Sequence, residues 1–140
     1  MAGFVLTLAI ATSITTLNRG LSSLDTARNS TLASQIMQSE IERIRLMPWD
    51  LPGGAVDSIQ ELPASDTVPL ASMFSANPAL AAKFTVTRTV TADATRPADI
   101  KHISLTATWT SYDGRSHTRS YSTMYSRKGL YDYYYVIAAP

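Results

Sequence analysis

Residues 1–48 read MAGFVLTLAIATSITTLNRGLSSLDTARNSTLASQIMQSEIERIRLMP, and this stretch decides the fold. No charged side chain occurs from Met1 to Asn18; Arg19 is the first. A helix of about 18 residues is about 27 Å long, slightly short of the roughly 30 Å hydrocarbon core of a bilayer. Thr7, Thr12, Ser13, Thr15 and Thr16 weaken its apolar character. Hydroxyls bonded back to their own helix are tolerated in lipid without being favoured there. Three readings compete. A cleaved secretory signal has Ala9-Ile10-Ala11 as a small-residue site but no basic residue ahead of the apolar run. A buried core helix of a soluble protein is the second. The third, which the residues after Arg19 favour, is the first part of a long helix whose tip sits in a membrane or another apolar assembly.

The helical pattern does continue. Leu17, Leu21, Leu24 and Ala27 fall at i, i+4, i+7 and i+10, and Met37, Ile41 and Ile44 are expected to resume that stripe, with Ala33 a turn before. Arg28, Gln35, Gln38, Glu42 and Arg45 form the opposite, solvated face; Glu40–Arg43 and Glu42–Arg45 are spaced to pair at i, i+3. Pro48 ends the helix, because the residue before a proline avoids the helical region. One helix from Met1 to Leu46 would be about 69 Å long. A 140-residue chain cannot enclose it, so its first half must project and bury its apolar surface against something else. Asn18 and Gly20 mark a soft spot within residues 12–22, since glycine costs about 1 kcal/mol relative to alanine in a helix and Ile14 to Thr16 is rich in β-branched residues; a tolerated glycine is the plainer reading.

Beyond the helix the pattern changes. Residues 48–82 hold Pro52, Gly53, Gly54, Pro63, Pro69 and Pro78, which predicts a surface-wrapping connector with short helical turns near Leu70–Phe74 and Ala79–Ala82. From Lys83 the period is two. Phe84, Val86 and Val90 alternate with Thr85, Thr87, Thr89 and Thr91; Ile103, Leu105, Ala107 and Trp109 alternate with Ser104, Thr106, Thr108 and Thr110. Asp113-Gly114 is a hairpin signal, and a two-residue turn there sets Trp109 opposite Thr118, Leu105 opposite Ser122 and Ile103 opposite Met124. The expected fold is α+β: a long N-terminal α-helix (1–47, apolar over 1–24 and amphipathic over 25–47) packed on a small antiparallel β-sheet of three strands (83–126). The connector (48–82) and a tyrosine-rich tail (127–140) complete the chain. Tyr131, Tyr133, Tyr134 and Tyr135 in that tail suit either a last strand on the same sheet or a contact to a neighbouring subunit.

Composition narrows the function classes. Charged residues make up 16% of the chain, below the roughly 25% usual for soluble domains. The formal net charge is +1 with no basic cluster, so nucleic acid is not an expected partner. Cysteine is absent, which excludes disulfides, thiolate metal sites and cysteine nucleophiles. His102 and His117 are expected on the polar face of the hairpin, near opposite ends and too far apart for one metal. Asp93, Asp99 and Asp113 could hold Ca²⁺ but lack EF-hand spacing and read as turn formers. Asn29-Ser30-Thr31 matches a glycosylation sequon, placed on a helix. No nucleophile, metalloprotease or phosphate-loop motif is present, so neither an enzyme nor a cofactor is expected.

The stretch ASQIMQSEIERIRLMPWD (33–50) resembles the end of the first helix in type IV pilins and pseudopilins of the minor-pilin kind, where an A-x-Q turn and then E-x-E-R-I-R precede an apolar–Pro–aromatic–Asp motif. A strand ending T-W-T before a D-G turn also fits that group. The resemblance implies a lollipop-shaped subunit of an extracellular bacterial type IV pilus-like filament, held in the inner membrane before assembly. Its implied partners are identical subunits in a helical homopolymer, a prepilin peptidase and a pilus assembly machinery. Phe4, Leu6, Leu8, Ile10, Ile14, Leu17, Leu21 and Leu24 are the residues expected to pack the filament core. Prepilins carry a basic leader ending in Gly and a Glu at the fifth mature position. Gly3-Phe4 mimics the junction but puts Leu8 where that Glu belongs. The expectation is that the sequence starts inside the mature helix, the alternative being a Glu-lacking tip-type subunit. A secretion pseudopilin, or a membrane-anchored or secreted binding domain, is the competing reading of function.

Overall fold

The computed structural model describes residues 2–50 and 58–127. A single helix, α1, runs unbroken from Ala2 to Arg45. After it come β1 (Ser65–Thr67), two short helices α2 (Leu70–Met73) and α3 (Pro78–Lys83), and three longer strands, β2 (Phe84–Ala92), β3 (Ile100–Thr110) and β4 (Ser116–Ser126). The helix ends where Pro48 requires. Met47 N–H bonds the Ile44 carbonyl, tightening the last turn, and Arg43 and Arg45 set positive charge against the carbonyl end. Asn77 caps α3, its side-chain oxygen accepting the Leu80 N–H, with Pro78 at the first helical position.

The sheet is antiparallel in the order β1-β2-β3-β4, and α1 lies across one face of it. This is the α+β arrangement expected, with a fourth strand added. The connector pairs Ser65–Thr67 with Thr87–Thr89 of β2, a strand too short for its alternation to be visible in the sequence. One core cluster sets Ala33, Ile36, Met37 and Ile41 of α1 against Phe84, Val86, Leu105 and Trp109. A second joins Ile44, Met47 and Trp49 to Ile59, Val90 and Ile103.

Two expectations need correction. The stripe that starts at Leu17 does not continue into Met37, Ile41 and Ile44. Leu24 and Ala33 are nine residues apart, which at about 100° per residue is half a turn. Ala33 is buried against the sheet and Leu24 faces away from it. The hairpin register is also shifted by one. Gly114 N–H bonds the Ser111 carbonyl and Ser111 N–H bonds the Arg115 carbonyl, so the loop is three residues, 112–114. Gly114 takes the left-handed position with φ +79°, the bulged turn that a three-residue loop favours. Trp109 therefore opposes His117, Leu105 opposes Tyr121 and Ile103 opposes Thr123.

Because side chains alternate, that one-residue shift exchanges the faces of β4. His117 leaves the polar face and stacks on Trp109, ring centroids 5.6 Å apart. Tyr125 stacks on Trp49 and donates its hydroxyl to the Met47 carbonyl at 2.8 Å. Arg119 donates to the Ser30 hydroxyl on α1 at 2.7 Å. Met124 is turned to the outer face and exposed. On that outer face, every strand position is serine or threonine except His102, Met124 and the buried end residue Ile100.

Candidate assembly surface

Residues 3–21 of α1 are exposed on all sides. Nineteen residues at 1.5 Å each make a rod about 28 Å long. Its apolar side chains are Phe4, Leu6, Leu8, Ile10, Ile14, Leu17 and Leu21 with Val5, ranging from 76% exposed at Phe4 to 53% at Ile10. The hydroxyls of Thr7, Thr12, Ser13, Thr15 and Thr16 each donate to a carbonyl three or four residues earlier, at 2.6–3.0 Å. The rod therefore presents hydrocarbon and internally satisfied polar groups, with no charge before Arg19. By length and composition the helix can cross a membrane. The helix passes through Asn18 and Gly20 without interruption, and a side chain added at Gly20 would meet nothing within 4 Å.

The rod ends where the β3–β4 turn grips the helix. Ser22 donates to Asp113 at 3.3 Å, and the Thr26 and Ser111 hydroxyls approach to 3.4 Å. Asp25 accepts the Tyr112 backbone N–H at 2.9 Å and pairs with Lys83 at 3.2 Å. Leu24 lies within this gripped stretch yet stays 69% exposed, on the side of the helix away from the sheet. Leu17, Leu21 and Leu24 thus carry the apolar surface of the rod onto the outer side of the body. Tyr131, Tyr133, Tyr134 and Tyr135 lie outside the described residues.

A buried ionic cluster holds the helix at a fixed register on the sheet: its Glu40–Arg43 pair is the one the i, i+3 spacing predicts, whereas its link to Arg88 and Asp66 is one that sequence reasoning missed. Glu40 is 2% exposed and accepts from Arg88 of β2 at 2.9 Å. Arg43 grips the same carboxylate through two nitrogens at 2.9 and 2.7 Å. Arg88 also donates to Asp66 of β1 at 2.9 Å. A signal was present. Arg88 occupies the inward parity of Phe84, Val86 and Val90, and Glu40 adjoins Ile41 on the packed side of α1. Opposite charges at inward positions of two elements that pack together predict a pair.

Among the described residues no three His, Cys, Asp or Glu side chains come together for a metal. Asp93 is a turn former: its Oδ1 accepts the backbone N–H groups of Thr95 and Arg96 at 2.9 Å, and its Oδ2 meets His102 at 2.8 Å. The His102 contact, followed by the two amides, holds its carboxyl below the usual carboxylate range. Asp113 likewise accepts the Arg115 N–H. Asn29 of the sequon is buried at 2% exposure, so the folded chain does not offer it for modification. A cleft of about 430 Å³ between α1 and β4 is lined by Met37, Ile41, Arg119 and Tyr121 among others; Glu42 and Arg45 on its rim are paired with each other. Comparison of the chain with protein-family models, with curated proteins and with solved structures found no match.

Proposed function

We propose that this protein is a structural subunit of an extracellular bacterial filament of the type IV pilus kind, polymerising through its projecting helix. The observation that carries the reading is a projecting rod about 28 Å long, free of charge up to Arg19, whose large apolar side chains are all more than half exposed. Fully burying a large aliphatic or aromatic side chain is worth about 1.5–3 kcal/mol. Eight such residues, each recovering roughly half of that, give on the order of 6–12 kcal/mol per subunit to whatever covers the rod. Contiguous apolar surface of that extent does not persist in water. Before assembly the inner membrane would cover it; afterwards the rods of identical subunits would cover one another. Head-to-tail contacts between identical chains propagate as a helical polymer where the rotation between neighbours does not close a ring, and this reading takes the rods to pack in that way. Prepilin peptidase and an assembly machinery are the partners that this reading brings with it.

The ionic cluster suits the same role, since a rod used for packing must leave the body at one angle and one register. The test is Leu6→Asp combined with Ile10→Asp in cells that make the filament. Surface fibres containing the chain should disappear while the subunit remains folded. Fibres in normal amount would overturn the proposal. Uniform thin fibres in sheared surface material separate this reading from that of an anchored monomeric binding domain.

A further inference from the structure

We infer that the free edge of β4 and the cleft beside it are a docking site for one more strand, and that its occupant is this chain's own segment 130–137, which lies outside the described residues. The strand order leaves one side of β4 without a partner among the described residues. Arg115 accepts from Ser111 and Arg127 donates to Asp99, so the odd-numbered residues of β4 bond toward β3. The backbone N–H and C=O groups of the even-numbered residues from Ser116 to Ser126 therefore point to the open side. Sheet edges are ordinarily kept from pairing by shortness, proline, a bulge, charge or cover. β1, at the other edge, is three residues long. β4 has eleven residues, an unbroken register and no proline, and its single arginine reaches back to Ser30 of α1. Cover is the device that is left.

The cleft is a second, independent observation. Tyr121 is on the packed face of the sheet yet stays 49% exposed, and it shares the lining of the 430 Å³ cleft with Met37 and Ile41. Among the described residues, none of the buried polar atoms that lack a partner belongs to this lining, so the cleft calls for apolar and aromatic cover rather than for a polar ligand. The place where β4 ends selects the occupant. In the β3–β4 hairpin, glycine is third in the loop 112–114, between the bonded residues Ser111 and Arg115. Ser126 also has its backbone groups on the open side, and Arg127-Lys128-Gly129 after it again puts glycine third. Leu130 to Ile137 follows, rich in the aromatic and β-branched residues that strands favour. A turn of the same kind at 127–129 sets Tyr131 opposite Tyr125, Tyr133 opposite Thr123, Tyr135 opposite Tyr121 and Ile137 opposite Arg119. All of these have the parity of the cleft. On the outer face the same register sets Asp132 opposite the exposed Met124, with Leu130 and Tyr134 on its diagonals. The tyrosine run then closes the body of its own subunit and leaves the rod as the surface for neighbours.

The inference goes beyond the filament reading and is tested without it, on the full chain kept single in a nonionic detergent. Amide exchange of the unsubstituted chain reads the edge directly. The Ser120, Ser122 and Met124 amides, which have no partner on β3, should exchange at least about tenfold more slowly than in an unstructured chain, at every protein concentration. Slowing of less than about tenfold overturns the inference. Slowing that disappears on dilution gives the edge to a second copy of the chain and also overturns it. The register is tested by cross-linking, since the chain has no cysteine of its own. Thr123→Cys with Tyr133→Cys should close a disulfide within one chain under mild oxidation, because directly opposite, non-bonded residues have Cα atoms about 4.5 Å apart, within the span of a disulfide. Thr123→Cys with Tyr134→Cys, one residue out of register, should close it at least about tenfold more slowly. Equal rates, or disulfides formed only between chains, overturn the assignment.

Discussion

Replacing Glu40 with alanine should be the most damaging single change in the folded body. The carboxylate is 2% exposed and ties together one arginine from the sheet and one from its own helix. Removing one partner of a buried pair costs about 3–5 kcal/mol, because the other charge is left in a poorly solvated site. Arg43 is half-exposed and returns to water at little cost. Arg88 cannot; it keeps only Asp66, which is itself 41% exposed. The lower part of the range follows, about 3 kcal/mol, or roughly 10–15 °C in midpoint for a body of this size. Asp66→Ala removes a partner that water can replace and should cost about 1 kcal/mol or less. Glu40→Leu with Arg88→Met exchanges the pair for hydrocarbon and should lie within about 1–2 kcal/mol of the parent. Urea unfolding in detergent micelles reads all three, because Trp49 and Trp109 are buried in separate core clusters and report on both. A cost below about 1 kcal/mol for Glu40→Ala, or equal costs for Glu40→Ala and Asp66→Ala, would refute the claim that this cluster locks helix to sheet.

Other consequences follow from the turns. Gly114→Ala places a Cβ in the left-handed region and should destabilise the hairpin by about 1–2 kcal/mol, read as a lowered thermal midpoint; an unchanged midpoint would contradict the bulged turn. Asp93 has its folded pKa depressed by His102 and two backbone amides. Its contribution is therefore fully present above the ordinary carboxylate pKa and is lost as pH falls through the lower folded value. The Thr95 and Arg96 amides should stay protected from exchange at pH 5 and lose protection only below the ordinary carboxylate pKa of about 3.9, whereas in Asp93→Ala, which has no carboxylate to accept them, they should be less protected at every pH. Protection unchanged down to pH 2 would argue that the carboxylate does not hold this turn.

The long helix, the strand alternation and the hairpin were legible because each is a repeat of several residues with one dominant period. What was missed depends on single positions or on partners distant in sequence. Asp113-Gly114 reports a turn but not whether the loop has two residues or three. The extra residue alone moved His117 and Tyr125 to the packed face. The leucines at 17, 21 and 24 look continuous with Met37 and Ile41 by spacing, yet the phase slips by half a turn between Leu24 and Ala33. The slip marks the place where the helix stops serving the rod and starts serving the sheet. β1 is three residues long and leaves no period to read. Arg88 sat among threonines in the alternation, and only its parity showed that it points inward. The projecting surface was the most legible feature of all, because an 18-residue absence of charge needs no partner to be seen.

The most direct test of the account is the state of the intact chain in detergent-free buffer, by light scattering and sedimentation. If the exposed rod is a surface that identical copies cover for one another, the chain should form regular polymers when detergent is removed. Leu6→Asp with Ile10→Asp should shift it toward single subunits. An intact, unsubstituted chain that remains one monodisperse 15.2 kDa molecule without detergent would contradict the account at its base.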